Sequence, residues 1–239
     1  MATYLELCNL VLNQLNDIVL DTTTFANARG FHASVKDAVN FAIRDINQSE
    51  IEWPFAYNST SQVLVAETNS YAFPDTIQRV DWQSFHLEAD DALNINAAHL
   101  NAMPYDDWLH MRRAHDENNN TGIRIPEAIF KLPNEYFGVT PIPDRAYTIS
   151  YDYYGFSETL SAYDDTPDIP DRFRWVIYQG SMYYAYMFRD NFESADKAEE
   201  RFEKGIKHMR TLLINKYEHV SDTRTGYGAN RYFRAGSGL

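Results

Sequence analysis

Apolar positions recur at helical spacing near both ends of the chain and at strand spacing in its middle. Leu7, Leu10, Val11 and Leu15 are separated by threes and fours, which places them on one helix face. Thr3 and Glu6 precede them in the T-x-x-E pattern of a capping box. After the polar loop DTTTFANARG, Val35, Ala38, Val39, Ala42 and Ile46 mark a second helix over about 31–47. It stops before Trp53-Pro54, since proline ends helices and drives the preceding residue into extended geometry. Past the punctuation DTPDIPD (165–171), Phe173, Val176, Ile177, Gly180, Tyr184, Met187 and Phe188 mark a third face. Gly180, Ser181 and Ala185 are small enough for close helix approach. After Asn191, Ala195, Ala198, Phe202, Ile206, Met209 and Leu213 mark a long fourth helix. Glu193, Asp196, Glu199 and Glu200 crowd its start and Lys204, Lys207, Arg210 and Lys216 its end, an order that suits the helix macrodipole.

The middle has a different rhythm. QVLVA (62–66), SYAFP (70–74), QRVDWQSFHL (78–87), EYFGV (135–139) and YTISYDYY (147–154) are short, β-branched or aromatic, and bounded by turn residues. They predict antiparallel strands of a sandwich or small barrel. One helical piece interrupts them, opened by Pro104 and carrying Trp108, Leu109 and Met111, followed by the polar loop DENNNTG (116–122). Neither helical pair offers a complete core alone. The expected fold is therefore α+β: a four-helix bundle from N- and C-terminal helix pairs, an inserted antiparallel β-rich domain and an extended C-terminal tail. The expected divisions are residues 1–54, 55–160, 161–220 and 221–239. Leu10, Val39, Ile43, Ile177, Met187, Phe202, Ile206 and Met209 are the candidate bundle core.

Composition narrows the partners. A chain of 239 residues can bury a sizeable core. Its net charge of −13 opposes nucleic-acid binding over the whole surface, but suits a conduit through which DNA slides. The 17 tyrosines favour large contact surfaces, since tyrosine has an apolar body and a polar tip. Cys8 is the only cysteine, so no intrachain disulfide and no cysteine-based zinc site is expected, which fits assembly in a reducing cytoplasm. The N-terminus predicts neither a signal peptide nor a membrane span.

Candidate chemistry is sparse. Asp106 and Asp107 lie beside Trp108, His110 and His115, but adjacent aspartates on a helix diverge, and histidines five apart do not share a face. Asp164, Asp165 and Asp168 lack the glycine and distal glutamate of a calcium loop, and turn duty is expected of them. His32, His86, His99, His208 and His219 are isolated in sequence. No phosphate-binding, nucleophile-elbow or zinc-helix motif occurs. No catalytic residue, metal or cofactor is expected.

Several stretches together resemble the head-to-tail adaptors of short-tailed bacteriophages, the tail tubular protein A family. They are IEWPFAYNSTSQVLV (51–65), IPEAIFKLPNEYFGVTPIPDRAYTISYDYY (125–154), DIPDRFRWVIYQGSMYYAYMFRD (168–190) with FESADKAEERFEKGIKHMR (192–210), and GYGANRYF (226–233). The core of the second, from Pro141 to Tyr154, is similar to a strand–turn–strand hallmark of phage adaptors. Residues 85–124 match no part of the pattern. The resemblance implies a structural, cofactor-free virion protein. It would form a homo-oligomeric ring, usually a dodecamer, between portal and tail nozzle, around the DNA exit channel and near the tail fibres. Double-stranded DNA would pass without specific binding, and no membrane would be involved.

The tail SDTRTGYGANRYFRAGSGL carries Arg224, Tyr227, Arg231, Tyr232, Phe233 and Arg234 against one acid, Asp222. No apolar period gives it a core of its own, while arginine and aromatics are enriched at interface centres. It is expected to strap a partner, first of all the portal. The alternative reading is a soluble ligand- or carbohydrate-binding β-sandwich with a helical cap, using Trp82, Tyr105 and Trp108 as stacking platforms. A hydrolase built on Asp106 and Asp107 is a third.

Overall fold

The computed structural model describes residues 1–90, 96–117, 123–133 and 135–214, with backbone alone for 113–117. Among the described residues it is mixed helix and sheet, as an α+β chain should be. Helix α1 (Tyr4–Gln14) begins in the expected capping box: the Thr3 hydroxyl accepts from the Glu6 N–H at 3.3 Å and the Glu6 carboxylate accepts from the Thr3 N–H at 3.1 Å. Helix α2 (Phe31–Ser49) buries Val35, Ala38, Val39, Ala42, Ile43 and Ile46, the period-3.6 face read from the sequence. A 3₁₀ turn (Pro54–Ala56) leads into strand β1 (Tyr57–Leu64).

Strands β2 (Ser70–Ala72), β3 (Ile77–Val80), β4 (His86–Leu87), β5 (Ala98–His99) and β6 (Asn101–Met103) follow, then helix α3 (Tyr105–Glu117). Strands β7 (Ala128–Leu132), β8 (Tyr136–Thr140) and β9 (Tyr147–Gly155) complete the sheets, and helices α4 (Arg174–Phe188) and α5 (Phe192–Leu213) end the described chain. One sheet has the order β1-β9-β4-β5, with β3 also on β9, and the other β2-β8-β7-β6. The expected single strand over 78–87 is two, because a turn at Asp81–Ser84, with Ser84 N–H donating to Asp81 O at 3.1 Å, breaks it. The expectation of purely antiparallel strands also needs correction. β6 runs parallel to β7, and α3 supplies the crossover that parallel neighbours require.

The two sheets bury one shared cluster. Leu64, Leu87, Tyr147, Ile149 and Tyr151 come from one sheet, and Tyr71, Ile129, Phe137 and Val139 from the other. Along β9 alternation is plain: Tyr147, Ile149 and Tyr151 point inward, and Thr148, Ser150 and Asp152 outward. β7 breaks that rule, since Ala128, Ile129 and Phe130 are all buried. Its second face is covered by α3, whose Trp108 stacks on Phe130 with ring centroids 4.3 Å apart. Phe130 in turn lies over Gly138, where a Cβ would fall 2.1 Å from its ring.

Helices α1, α2, α4 and α5 share a second cluster. α4 and α5 notch into each other through paired glycines. A Cβ on Gly180 would lie 2.7 Å from the Phe202 ring and 2.8 Å from the Ala42 methyl, and one on Gly205 2.9 Å from Val176. Val39, Ile43, Ile177, Phe202 and Met209 are buried, and Ile206 packs partly buried against them. Leu10 and Met187 are corrections, at 40% and 39% exposed. The α1 face is centred instead on Tyr4, Leu7, Cys8, Val11 and Leu12, which turns Leu10 to its rim. Met187 falls in the last turn of α4, where Phe188 is also exposed. The return from β9 is tied to the helices by Asn40, whose side chain donates to Leu160 O at 3.0 Å and accepts from Leu160 N–H at 3.1 Å.

Candidate interaction surfaces

The chain leaves α5 beside the root of β1. Arg210, in the last turn of α5, donates to Ser49 O at 2.7 Å and pairs with Glu50 at 3.3 Å. Both residues lie at the end of α2, just ahead of Trp53 and β1. Trp53 is buried, donates through Nε1 to Ile46 O at 2.8 Å and stacks on Phe55. The expected strap residues Arg224, Tyr227, Arg231, Tyr232, Phe233 and Arg234 lie outside the described residues.

β1 itself forms a sheet edge. It pairs with β9 in unbroken register from Tyr57↔Tyr154 to Leu64↔Tyr147, and β9 is its only strand partner among the described residues. Its outward face carries Tyr57, Ser59, Ser61 and Val63. Tyr57 donates to the Asp152 carboxylate at 2.7 Å, and Ser59 donates to the same group. Those two bonds, Ser59 first, hold Asp152 below the usual carboxylate range. The same contact pushes the Tyr57 hydroxyl up to about 12. Asp152 is thus a fixed negative charge, and Asp81 and Glu52 add to the field at that end of the strand. Arg79 lies among them and is paired with Glu52 at 2.5 Å, and Lys131 lines the same cleft.

Two apolar patches mark the helical part. At one, Phe188 is 57% and Phe192 56% exposed, and Phe188 tilts against Phe31 with centroids 5.7 Å apart. The loop there is fixed by Arg189, which pairs with Asp17 at 2.5 Å and lies 3.9 Å over the Phe31 ring. At the other, Trp175 is 58% exposed over a cleft with Leu10, Arg172 and Tyr178. In the α1–α2 loop, Asp21 caps a tight turn, accepting from both Thr23 and Thr24 N–H groups and their hydroxyls at 2.7–3.0 Å. The Thr23 hydroxyl is the largest cause holding its carboxyl near 2, below the ordinary 3.8. The folded value is lowered, so this turn is stabilised above about pH 4 and released as pH falls through about 2. A carboxyl-detected titration should find Asp21 protonating near pH 2, and a midpoint near 3.8 would remove the turn's role.

The candidate chemical groups are dispersed. Asp106 and Asp107 are exposed in the first turn of α3, and no cluster among the described residues could hold a metal. His86 and His99 face each other across β4 and β5, but bond to Ser84 O and Gln83 O. His32 bonds to Ile18 O. Asp165 does the turn duty expected of it, accepting from Ser161 and Ala162 N–H groups at 2.7 and 2.8 Å. Of the sugar-platform candidates only Trp108 is buried; Trp82 is partly buried and lines a cleft, and Tyr105 is exposed. Trp108 is buried on Phe130, Trp82 stacks on Phe85, and Tyr105 tilts against Trp108. No helix among the described residues is long and apolar enough to cross a membrane.

Sequence reasoning missed the length of β1. Its first half, YNSTS, has no apolar alternation, so only the QVL end carried a signal. The family model described as SU10 adaptor protein matches residues 2–230. No curated protein matches the chain.

Proposed function

Because the chain belongs to the SU10 adaptor protein family, a phage adaptor family, we propose that it works as a head-to-tail adaptor of the tail tubular protein A kind. The family makes it a structural component of the virion. In the proposed role, copies form a ring of twelve that joins portal to tail nozzle around the DNA exit channel, with tail fibres nearby. Helices α1, α2, α4 and α5 are the four-helix bundle of each subunit (1–54 and 161–220), the sheets with α3 are a domain inserted at 55–160, and residues 221–239 are a strap. Arg224, Tyr227, Arg231, Tyr232, Phe233 and Arg234 are its contact residues.

The observation that carries this reading is the family match over residues 2–230. Three features support it. Among the described residues the candidate polar groups do not converge on one centre. Trp175, Phe188 and Phe192 are large aromatics left more than half exposed on the helical part, a residue type enriched at protein contacts. The charge of −13 per chain, repeated around a channel, would repel phosphates and let a duplex pass.

Double-stranded DNA should therefore bind the assembled ring weakly, with affinity falling steeply as salt rises. Tight binding at physiological salt, read by fluorescence anisotropy, would mean that basic residues face the channel. The reading as a whole is tested by solution mass with and without the portal protein of the same phage. A ring that forms on the portal is expected. A monomer that ignores the portal and binds glycans would replace this reading with the sandwich alternative, and turnover lost in Asp107→Asn with a hydrolase.

A further inference from the structure

We propose that the outer edge of β1 is a strand-accepting site, and that its occupant is the segment GYGANRYF (226–233) of a second copy of this chain. The inference rests on the ring reading and names the seat of the strap. An open sheet edge templates further pairing, and proteins that leave one unused blunt it with short strands, charges, prolines or bulges. The other edges among the described residues are short: β5 has two residues, β2 and β6 three each, and β3 four, one of them the charged Arg79. β1 has eight, YNSTSQVL, without a charge or a proline, and its register against β9 is unbroken. None of the usual protections is present on the one edge long enough to need them.

Chemistry fits the occupant. Eight tail residues match eight strand positions. In extended form Tyr227, Ala229, Arg231 and Phe233 share one face. Laid antiparallel, that face continues the outward one of Tyr57, Ser59, Ser61 and Val63. The Tyr57 end of the edge carries Asp152, and Asp81 and Glu52 lie nearby with Arg79, which is paired with Glu52; the tail brings Arg231 and Arg234 to that end.

Geometry favours a second copy. α5 ends at the Tyr57 end of its own β1, held by Arg210 on Ser49 and Glu50. The more stable antiparallel addition enters at the Leu64 end, about 26 Å farther on at roughly 3.3 Å per residue. The spacer 215–225 reaches at most about 39 Å, from which the gap to Tyr57 and the reversal must also come. A neighbour's edge imposes no reversal.

The test uses full-length chains with two distinguishable tags. One carries Ser61→Cys and the other Ala229→Cys, mixed under assembly conditions with a short bis-maleimide linker. Cys8 is fully buried and should not compete. A linked pair of unlike tags is expected, with its yield falling at least fivefold when Val63→Lys is added to the first chain. Rings that dock on the portal without the linkage overturn the strand site and leave the adaptor reading intact. Linkage confined to a single chain carrying both cysteines also overturns it, in favour of self-capping. Linkage between copies that ignore the portal keeps the strand site and removes the adaptor role.

Discussion

Phe202→Ala should destabilise the chain by about 3–5 kcal/mol, the usual range for removing a buried phenylalanine. Phe202 is buried on the α5 face that meets α4, and its ring fills the notch left by Gly180. The glycine is there because a methyl at 180 would sit 2.7 Å from that ring and 2.8 Å from Ala42. Truncating the ring leaves a void bounded by three helices, and backbones held by their own hydrogen bonds close such a gap only in part. Urea unfolding should show the loss as a lower midpoint with an unchanged slope. Adding Gly180→Ala to the variant should not recover it, since the new methyl would still sit 2.8 Å from the Ala42 methyl. A cost under about 1 kcal/mol would mean that α5 does not depend on this contact.

Trp53→Ala should cost a similar amount, about 3–5 kcal/mol. Trp53 is buried where α2 gives way to β1, and it stacks on Phe55 with centroids 5.5 Å apart. Its indole also donates to Ile46 O, a carbonyl in the last turn of α2 that has no helical partner. Trp53→Phe separates the two roles. Ser49 already donates to the same oxygen at 2.7 Å, so losing the indole N–H does not orphan it. That variant should lose about 1 kcal/mol for the bond, plus a smaller packing term. Equal losses for the two substitutions would place the residue's value in the hydrogen bond and not in its volume.

The helical elements were legible because their signals are local. Thr3 and Glu6 announce the start of α1, and Ala195, Ala198, Phe202 and Met209 keep one face over the length of α5. β9 was legible too, since one of its faces meets solvent and its residues alternate. β7 was not, because α3 covers its second face and Ala128, Ile129 and Phe130 are buried in succession. β5 and β6 are two and three residues long, below what periodicity can register. The exposure of Leu10 and Met187 depends on which neighbours each helix meets, and spacing along one helix does not encode that. The same limit hid the edge of β1: YNSTS is polar because neither of its faces is buried, and whether its backbone is paired is a property of the sheet.

The adaptor role itself was read from the order of several stretches, not from any one group of residues. That is expected of a protein whose work is done by surfaces. Candidate groups such as Asp106, Asp107, His86 and His99 look chemical in sequence. In the fold they are solvated, or bonded to nearby carbonyls. Asp152 drew no notice in the sequence. It matters because Tyr57 and Ser59, almost a hundred positions away in the chain, hold it ionised on the face of β1.

The most direct measurement is a reconstruction of the tail vertex from virions that contain this chain. A closed ring of copies is predicted between portal and nozzle, encircling the DNA channel, with additional strand density along the outer edge of each β1. Copies found away from that vertex, or unclosed around the channel, would contradict the adaptor role.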